Sequence, residues 1–190
     1  MAPRTTDTKQ RMVDAAADLL SQQGTAGTTI DAVLARSGAP RGSVYHHFPG
    51  GRNQLVLDAV QMVGDRISRS IDAATGKEPR EALDDFAAFW RRMLVRTDYR
   101  SGCPVVALAV GGAEQIPGAD RLVAEVFATW QAKFTALLTR RGVTPKRARS
   151  LANLVLSATQ GAVVLCRAER STAPLDHVVA ELSELLAAAA

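Results

Sequence analysis

Between Thr28 and Leu55 the chain reads TTIDAVLARSGAPRGSVYHHFPGGRNQL, a short helix, a glycine turn, a second short helix and a new helix start in one run. Thr28 or Thr29 supplies an N-cap oxygen, and Ile30, Val33 and Leu34 form an apolar face at helical spacing. Ser37-Gly38-Ala39 then breaks the helix. Gly38 accepts the positive φ of a tight interhelical turn, and Pro40 fits the first turn of a helix but not its middle. A second helix is therefore expected to begin near Pro40. Val44 and Phe48, four apart, pack inward and leave Arg41, Ser43, Tyr45, His46 and His47 largely on other faces. Those side chains are donors and stackers suited to phosphates and base edges, and the helix order is one that presents a helix to the DNA major groove.

The same pattern also occurs in plain helical bundles, so the pattern alone leaves both readings open. Charge separates them. From Arg36 to Gln54 the ionisable residues are Arg36, Arg41, Arg52 and two histidines, with no Asp or Glu among them. A local cationic surface is what phosphate neutralisation requires.

Gly38 through Leu55, above all GSVYHHFPGG with Arg52 and Leu55 after it, resembles the N-terminal DNA-binding domain of the TetR family of bacterial transcriptional repressors. The signature covers about the first quarter of the chain, with a Tyr-x-x-Phe core. The resemblance implies that Thr29 and Tyr45 contact phosphates, with Thr28 beside them. It implies that Arg41, Gly42, Ser43 and His46 face the major groove, with His47 adjoining, and that Arg52 clamps the backbone at the next helix start. Two positions depart from the family pattern. Leu34 stands where a small residue is usual, which predicts a slightly wider helix crossing. Gly50-Gly51 replaces the usual serine and lysine, so the basic charge falls at Arg52.

The whole chain has 190 residues and a net charge of +4, with a pI near 9.5. That excess permits nucleic-acid binding without demanding it. Residues 1–10 are polar and lack a hydrophobic signal core, and the longest nearly apolar run, Cys103 to Ala113, is shorter than a membrane span. The expected location is the cytoplasm, with no membrane association. Cys103 and Cys166 show no CxxC or Cys/His clustering, so neither a disulfide framework nor a metal site is expected, and no cofactor.

Helical periodicity runs nearly end to end, which predicts an all-α fold. Met12, Val13, Ala16, Ala17 and Leu20 form a first helix that ends near Gly24. Later helices are expected from Asn53 to about Ala74, closed by Thr75-Gly76; from Pro79, with Leu83, Phe86, Ala87, Trp90 and Leu94 on one face; and from Pro104 to Gly111-Gly112. Three more follow: one from Leu122 to Leu138, one from Pro145 to Glu169 and one from Leu175 to Ala187. The expected division is a helix-turn-helix DNA-binding domain over residues 1–52 and a helical ligand-binding and dimerisation domain over 53–190.

The helix from Pro145 carries Leu151, Leu154, Val155, Ala158, Ala162, Val163 and Cys166 on one side, with Leu156, Val164 and Leu165 elsewhere. Apolarity over so much of a circumference requires cover on more than one side. Ala158, Gly161 and Ala162 allow a close helix approach, and the last helix adds Val178, Val179, Leu182, Leu185 and Leu186. Either these helices close one chain's core, or they form a two-fold four-helix interface between two copies, as in TetR-type repressors. A homodimer is the favoured expectation. It matches a palindromic double-stranded DNA operator read by two recognition helices.

Phe86, Phe89, Trp90, Met93, Phe127, Trp130 and Phe134 fall in one region. They are either simple core or the lining of a cavity for a flat lipophilic or aromatic effector. SGCPVVALAVGG resembles a subgroup of these repressors, of the LmrA/YxaF type, that often governs multidrug-efflux or oxidoreductase genes. Cys103, included in the candidate ligand site, precedes Pro104 at an expected helix N-cap; either it is a small buried apolar filler, the favoured expectation, or amides and dipole there favour a thiolate and make it a redox sensor. Walker, GxSxG and HExxH motifs do not occur, and catalysis is not expected. The reading from sequence is a ligand-responsive, homodimeric DNA-binding repressor.

Overall fold

The computed structural model describes residues 5–74 and 76–189. Among these residues the chain forms nine α-helices. They are α1 (Thr5–Gly27), α2 (Ile30–Ser37), α3 (Ser43–His47), α4 (Gly51–Ala73), α5 (Pro79–Arg96), α6 (Pro104–Val110), α7 (Ala119–Thr139), α8 (Pro145–Glu169) and α9 (Ala173–Ala187), with a 3-10 turn at Ala113–Gln115. No strand occurs among the described residues, in agreement with the periodicity. Thr75, half of the expected stop after α4, lies outside the described residues, as do residues 1–4 of the polar start.

Packing divides the chain into two compact units, Met1–Asp65 with Cys103–Val126, and Arg66–Gly102 with Phe127–Ala190. The first unit reaches past residue 52 because the first half of α4 and all of α6 pack with the N-terminal helices. Its core joins Met12, Ala16 and Leu20 of α1, Val33 of α2, Val44 of α3 and Phe48 to Leu55, Val56 and Val60 of α4 and Leu108 of α6. α1 packs on α2 and on α6. Gly24, at φ 70° and ψ −169°, breaks α1 where the sequence places its end, and one more turn follows.

Two helix starts differ from expectation. α3 begins at Ser43 rather than near Pro40, because the Pro40 carbonyl accepts both the Ser43 N–H (3.0 Å) and the Ser43 hydroxyl (2.6 Å) and closes a separate turn. α4 begins at Gly51, ahead of Asn53. Gly51 sits at φ 62° and donates its N–H to the Phe48 carbonyl at 2.8 Å, while the Gln54 amide oxygen accepts from the Gly50 N–H at 2.9 Å. A side chain from inside α4 thus satisfies an amide at its entrance.

In the second unit α5 buries Leu83, Phe86, Ala87, Trp90 and Leu94, the face its spacing predicts. It packs on α8 and α9, which pack on each other. The inner face of α8 is Leu151, Val155, Leu156, Thr159, Ala162, Val163 and Cys166. Ala162 therefore faces inward rather than toward an approaching helix. The outer face keeps Leu154, Ser157, Gly161, Val164, Leu165 and Ala168 exposed. α8 is long and apolar enough to cross a membrane by length and composition alone.

Gly64 of α4 lies so close to α7 that an added Cβ would stand 2.9 Å from a methyl of buried, β-branched Val126. Alanine favours a helix interior over glycine by about 1 kcal/mol, while overpacking costs about 1–3 kcal/mol. Gly64→Ala is expected to lower the urea midpoint by a net loss of up to about 2 kcal/mol; a raised midpoint would show that the α4–α7 approach yields freely.

Candidate nucleic-acid interface

The outward face around α3 begins with its buried side. Val44 and Phe48 are completely buried, and the Phe48 N–H closes α3 on the Val44 carbonyl at 2.7 Å. With that side fixed, helical geometry turns Arg41, Gly42, Tyr45 and His46 outward, all exposed, with Ser43 and His47 half-buried. Tyr45 is 65% exposed, a large aromatic left in solvent beside cations. Its ring edge lies 3.8 Å from where a Gly51 Cβ would be, so the glycine pair flanks the ring without crowding it. The His46 and His47 rings meet edge to face at 4.9 Å.

Thr29 and Thr28 separate into two roles. Thr29 is the exposed N-cap of α2, its hydroxyl accepting the Ala32 N–H at 3.1 Å, an interaction worth about 1 kcal/mol. Thr28 is only 1% exposed and gives its hydroxyl to the Gly24 carbonyl at 2.8 Å. The expectation that Thr28 stands on the DNA face is corrected: it closes the frayed end of α1 from within. Arg52 also points inward. Its Nε donates to the Thr28 carbonyl at 2.7 Å and its Nη2 to the Thr25 carbonyl, and the Thr25 hydroxyl donates to the Gly111 carbonyl after α6. The clamp expected at the helix start is a clamp on this protein's own backbone.

One residue of the face escaped the charge census, which began at Arg36. Asp31 of α2 pairs with Arg41 at 3.1 Å, both side chains more than 70% exposed. Such an exposed pair is worth at most about 1 kcal/mol. Only the fold reveals it, because Asp31 lies on α2 and Arg41 in the turn before α3.

The aromatic side chains expected around an effector lie in the second unit and form two groups of ring contacts. Phe86 meets Phe134 at 5.2 Å and Trp90 at 6.2 Å, Phe89 meets Trp90 at 5.1 Å, and Phe127 meets Trp130 at 5.4 Å, all edge to face. Trp90 and Trp130 are buried, while Phe89, Met93 and Phe127 are half-buried. A surface depression lined by Ile71, Asp72, Lys133, Ala136, Leu137 and Arg140 uses none of them. Cys103 is not among them either, belonging to the first unit.

Cys103 occupies the N-cap of α6, as its neighbour Pro104 predicts, but its thiol is not activated. Burial pushes it up from 9.0 to about 11, against the opposing hydrogen bonds from the Val106 and Val105 amides. Burial thus outweighs the helix end, which agrees with the buried-filler reading and speaks against the reactive thiolate.

Two measurements check these assignments. Arg52→Met keeps the stem but leaves two backbone carbonyls without their charged donor, an expected loss of about 2 kcal/mol in urea unfolding. Unchanged stability would show that solvent replaces the guanidinium. Iodoacetamide at pH 7.5 is expected to leave Cys103 unlabelled in the native protein while the urea-unfolded chain reacts. From about pH 9 to 11 the unfolded thiol ionises before the folded one, so stability contributed by Cys103 falls as pH rises through that window. Rapid native labelling at pH 7.5 would restore the sensor reading.

Residues 12–59 match the model of bacterial regulatory proteins of the tetR family, and residues 79–181 match the C-terminal domain of LmrA/YxaF-like transcriptional regulators. An uncharacterized HTH-type transcriptional regulator of Mycobacterium tuberculosis is 39% identical over 185 residues, covering 95% of this chain and 94% of the relative. The HTH-type transcriptional regulator LmrA of Bacillus subtilis is 27% identical over 184 residues, covering 95% and 97%. A TetR-family regulator from Agrobacterium tumefaciens shares the fold with a TM-score of 0.83 at 20% identity, over 95% of this chain and 98% of that one. A helix-turn-helix with an outward Arg-Tyr-His face, joined to an LmrA/YxaF-like helical region, makes this chain a DNA-binding transcriptional regulator, not an enzyme, and a member of the TetR family.

Proposed function

We propose that the protein is a ligand-responsive repressor that binds a palindromic operator as a homodimer in the cytoplasm and leaves it when a small lipophilic or aromatic effector binds. The observation that carries the DNA half is the exposed set Arg41, Gly42, Tyr45 and His46 held over buried Val44 and Phe48. In this reading Thr29 and Tyr45 contact phosphates, and Arg41, Gly42, Ser43 and His46 enter the major groove with His47 at the edge. Arg52 acts by fixing the loop that carries Thr29. Residues 1–52 are the reading head and 53–190 the sensing and pairing region.

Pairing is supported by the outer face of α8. Leu154, Ala158, Gly161, Leu165 and Ala168 recur at helical spacing along it, and no Asp, Glu, Lys, Arg or His occurs between Arg149 and Arg167. Nothing lies within 4 Å of a Cβ built on Gly161, so a second backbone has room to approach. A stripe that is uncharged, small in the middle and 44–57% exposed at Leu154, Val164 and Leu165 is suited to a copy of itself across a two-fold axis. Release follows when effector binds the non-DNA-binding state more tightly; moving a mostly bound population to mostly free takes several kcal/mol of that preference.

Gel-shift titration against the DNA upstream of its own gene tests the proposal. Specific binding should exceed binding to scrambled DNA by at least about a thousandfold. Equal affinity would make the protein a nonspecific DNA binder. Tyr45→Ala should weaken binding to every sequence, whereas Arg41→Ala should also relax specificity. Leu165→Glu should yield a folded monomer by light scattering, with operator affinity reduced; a dimer that survives this change would place the interface elsewhere.

A further inference from the structure

Between Asp18 and Asp58 the sequence holds one carboxylate, Asp31, and three arginines. Each arginine has a different partner. Arg52 gives its guanidinium to the Thr25 and Thr28 carbonyls, Arg36 donates to the Gln22 amide oxygen at 3.2 Å, and Arg41 meets Asp31 at 3.1 Å. The carboxylate thus stands against the arginine proposed above to enter the major groove, not against the one that braces the fold. It does little for folding: the two side chains are 80% and 73% exposed, and such a pair changes a folding equilibrium by about fivefold at most. Asp31 also lies in the first turn of α2, where the helix dipole favours an acid. That accounts for a carboxylate on α2 but not for its contact with Arg41.

The contact is one-sided. Arg41 Nη2 lies 3.1 Å from Asp31 Oδ1, and among the described residues no ion pair or hydrogen bond joins its Nε or Nη1 to the protein. Arg41 sits in the turn before α3, between Pro40 and Gly42, neither of which has a polar side chain to hold it. An arginine this exposed loses several freely turning bonds when it binds; one already held at a single nitrogen loses fewer and keeps its other donors for the two acceptors of a guanine edge. A phosphate meets the same group differently. It finds a cation already neutralised, beside a carboxylate that repels it.

We propose that Asp31 is a positioning residue for sequence specificity: it holds Arg41 toward a base edge and weakens the pull of phosphates on it, so that operator DNA gains from Arg41 and other DNA does not. This rests on the reading of Arg41 as a major-groove residue and adds to it a residue that touches no base. The pair persists in the complex. A pair that simply broke on binding would weaken operator and other DNA equally, and specificity is a difference between the two affinities.

Salt-dependent titration of the full-length protein, wild type and Asp31→Asn, against the upstream fragment and a scrambled duplex tests it. Asp31→Asn is expected to bind scrambled DNA about threefold more tightly per head, with a salt slope steeper by up to about 0.9, and to bind the upstream fragment no more tightly than wild type. The ratio of specific to nonspecific affinity then falls about threefold or more. Asp31→Glu, which keeps the charge, should recover part of that ratio, and in an Arg41→Ala background Asp31→Asn should leave the ratio unchanged. An equal gain on both DNAs, or a fall in the ratio that persists without Arg41, would overturn the positioning role and leave the DNA-reading face standing. Should wild type bind both DNAs equally, the major-groove reading of Arg41 fails and this role with it.

Discussion

The guanidinium of Arg52 holds the end of α1 in place, and the orientation of the DNA-reading helices depends on it. Gly24 interrupts α1, so the carbonyls of its last turn lose their helical partners. Each receives another donor: Gly24 from the Thr28 hydroxyl, Thr25 from the Thr28 N–H and from Arg52, and Thr28 from Arg52. One side chain of α4 thereby fixes the segment that leads into Thr29, the cap of α2. The Thr25 hydroxyl extends the network to Gly111 at the end of α6, which packs on α1 within the same compact unit. A residue that reads from sequence as a phosphate clamp serves as the internal brace of the head.

The aromatic side chains and α8 show a different division of labour. α8 buries one face against α5 and α9 and leaves an uncharged face bare, which is why its sequence is apolar enough to pass for a membrane span. Its inner face also contains Thr159, whose buried hydroxyl has no hydrogen-bond partner. The same helix thus combines ordinary core packing on one side with a bare, uncharged surface on the other.

Much of the fold is legible along the chain because helix boundaries are local. Gly24, Gly38, Pro79, Pro104 and Pro145 act on their own φ angles and hydrogen bonds, and each marks a boundary within a few residues of where it is found. The α3 start was misplaced because the Ser43 hydroxyl competes for the Pro40 carbonyl, a detail that propensity does not encode. The family and its regulatory role were legible because the run GSVYHHFPGG, with Arg52 and Leu55 after it, resembles the TetR-family DNA-binding domain; in the fold Val44 and Phe48 of that run are buried and Tyr45 and His46 exposed.

Sequence by itself determined the all-α fold, the helix-turn-helix, and the exposed Tyr45-His46 face with Arg41 in the turn before it, since all follow from local spacing and turn residues. Tertiary structure decided what side chains meet across helices. It turned Thr28 and Arg52 inward, set Asp31 against Arg41, placed Cys103 in a burial that outweighs its helix end, and left Trp90 and Thr159 without acceptors. These outcomes depend on distances between residues far apart in the chain, and periodicity carries no information about such distances.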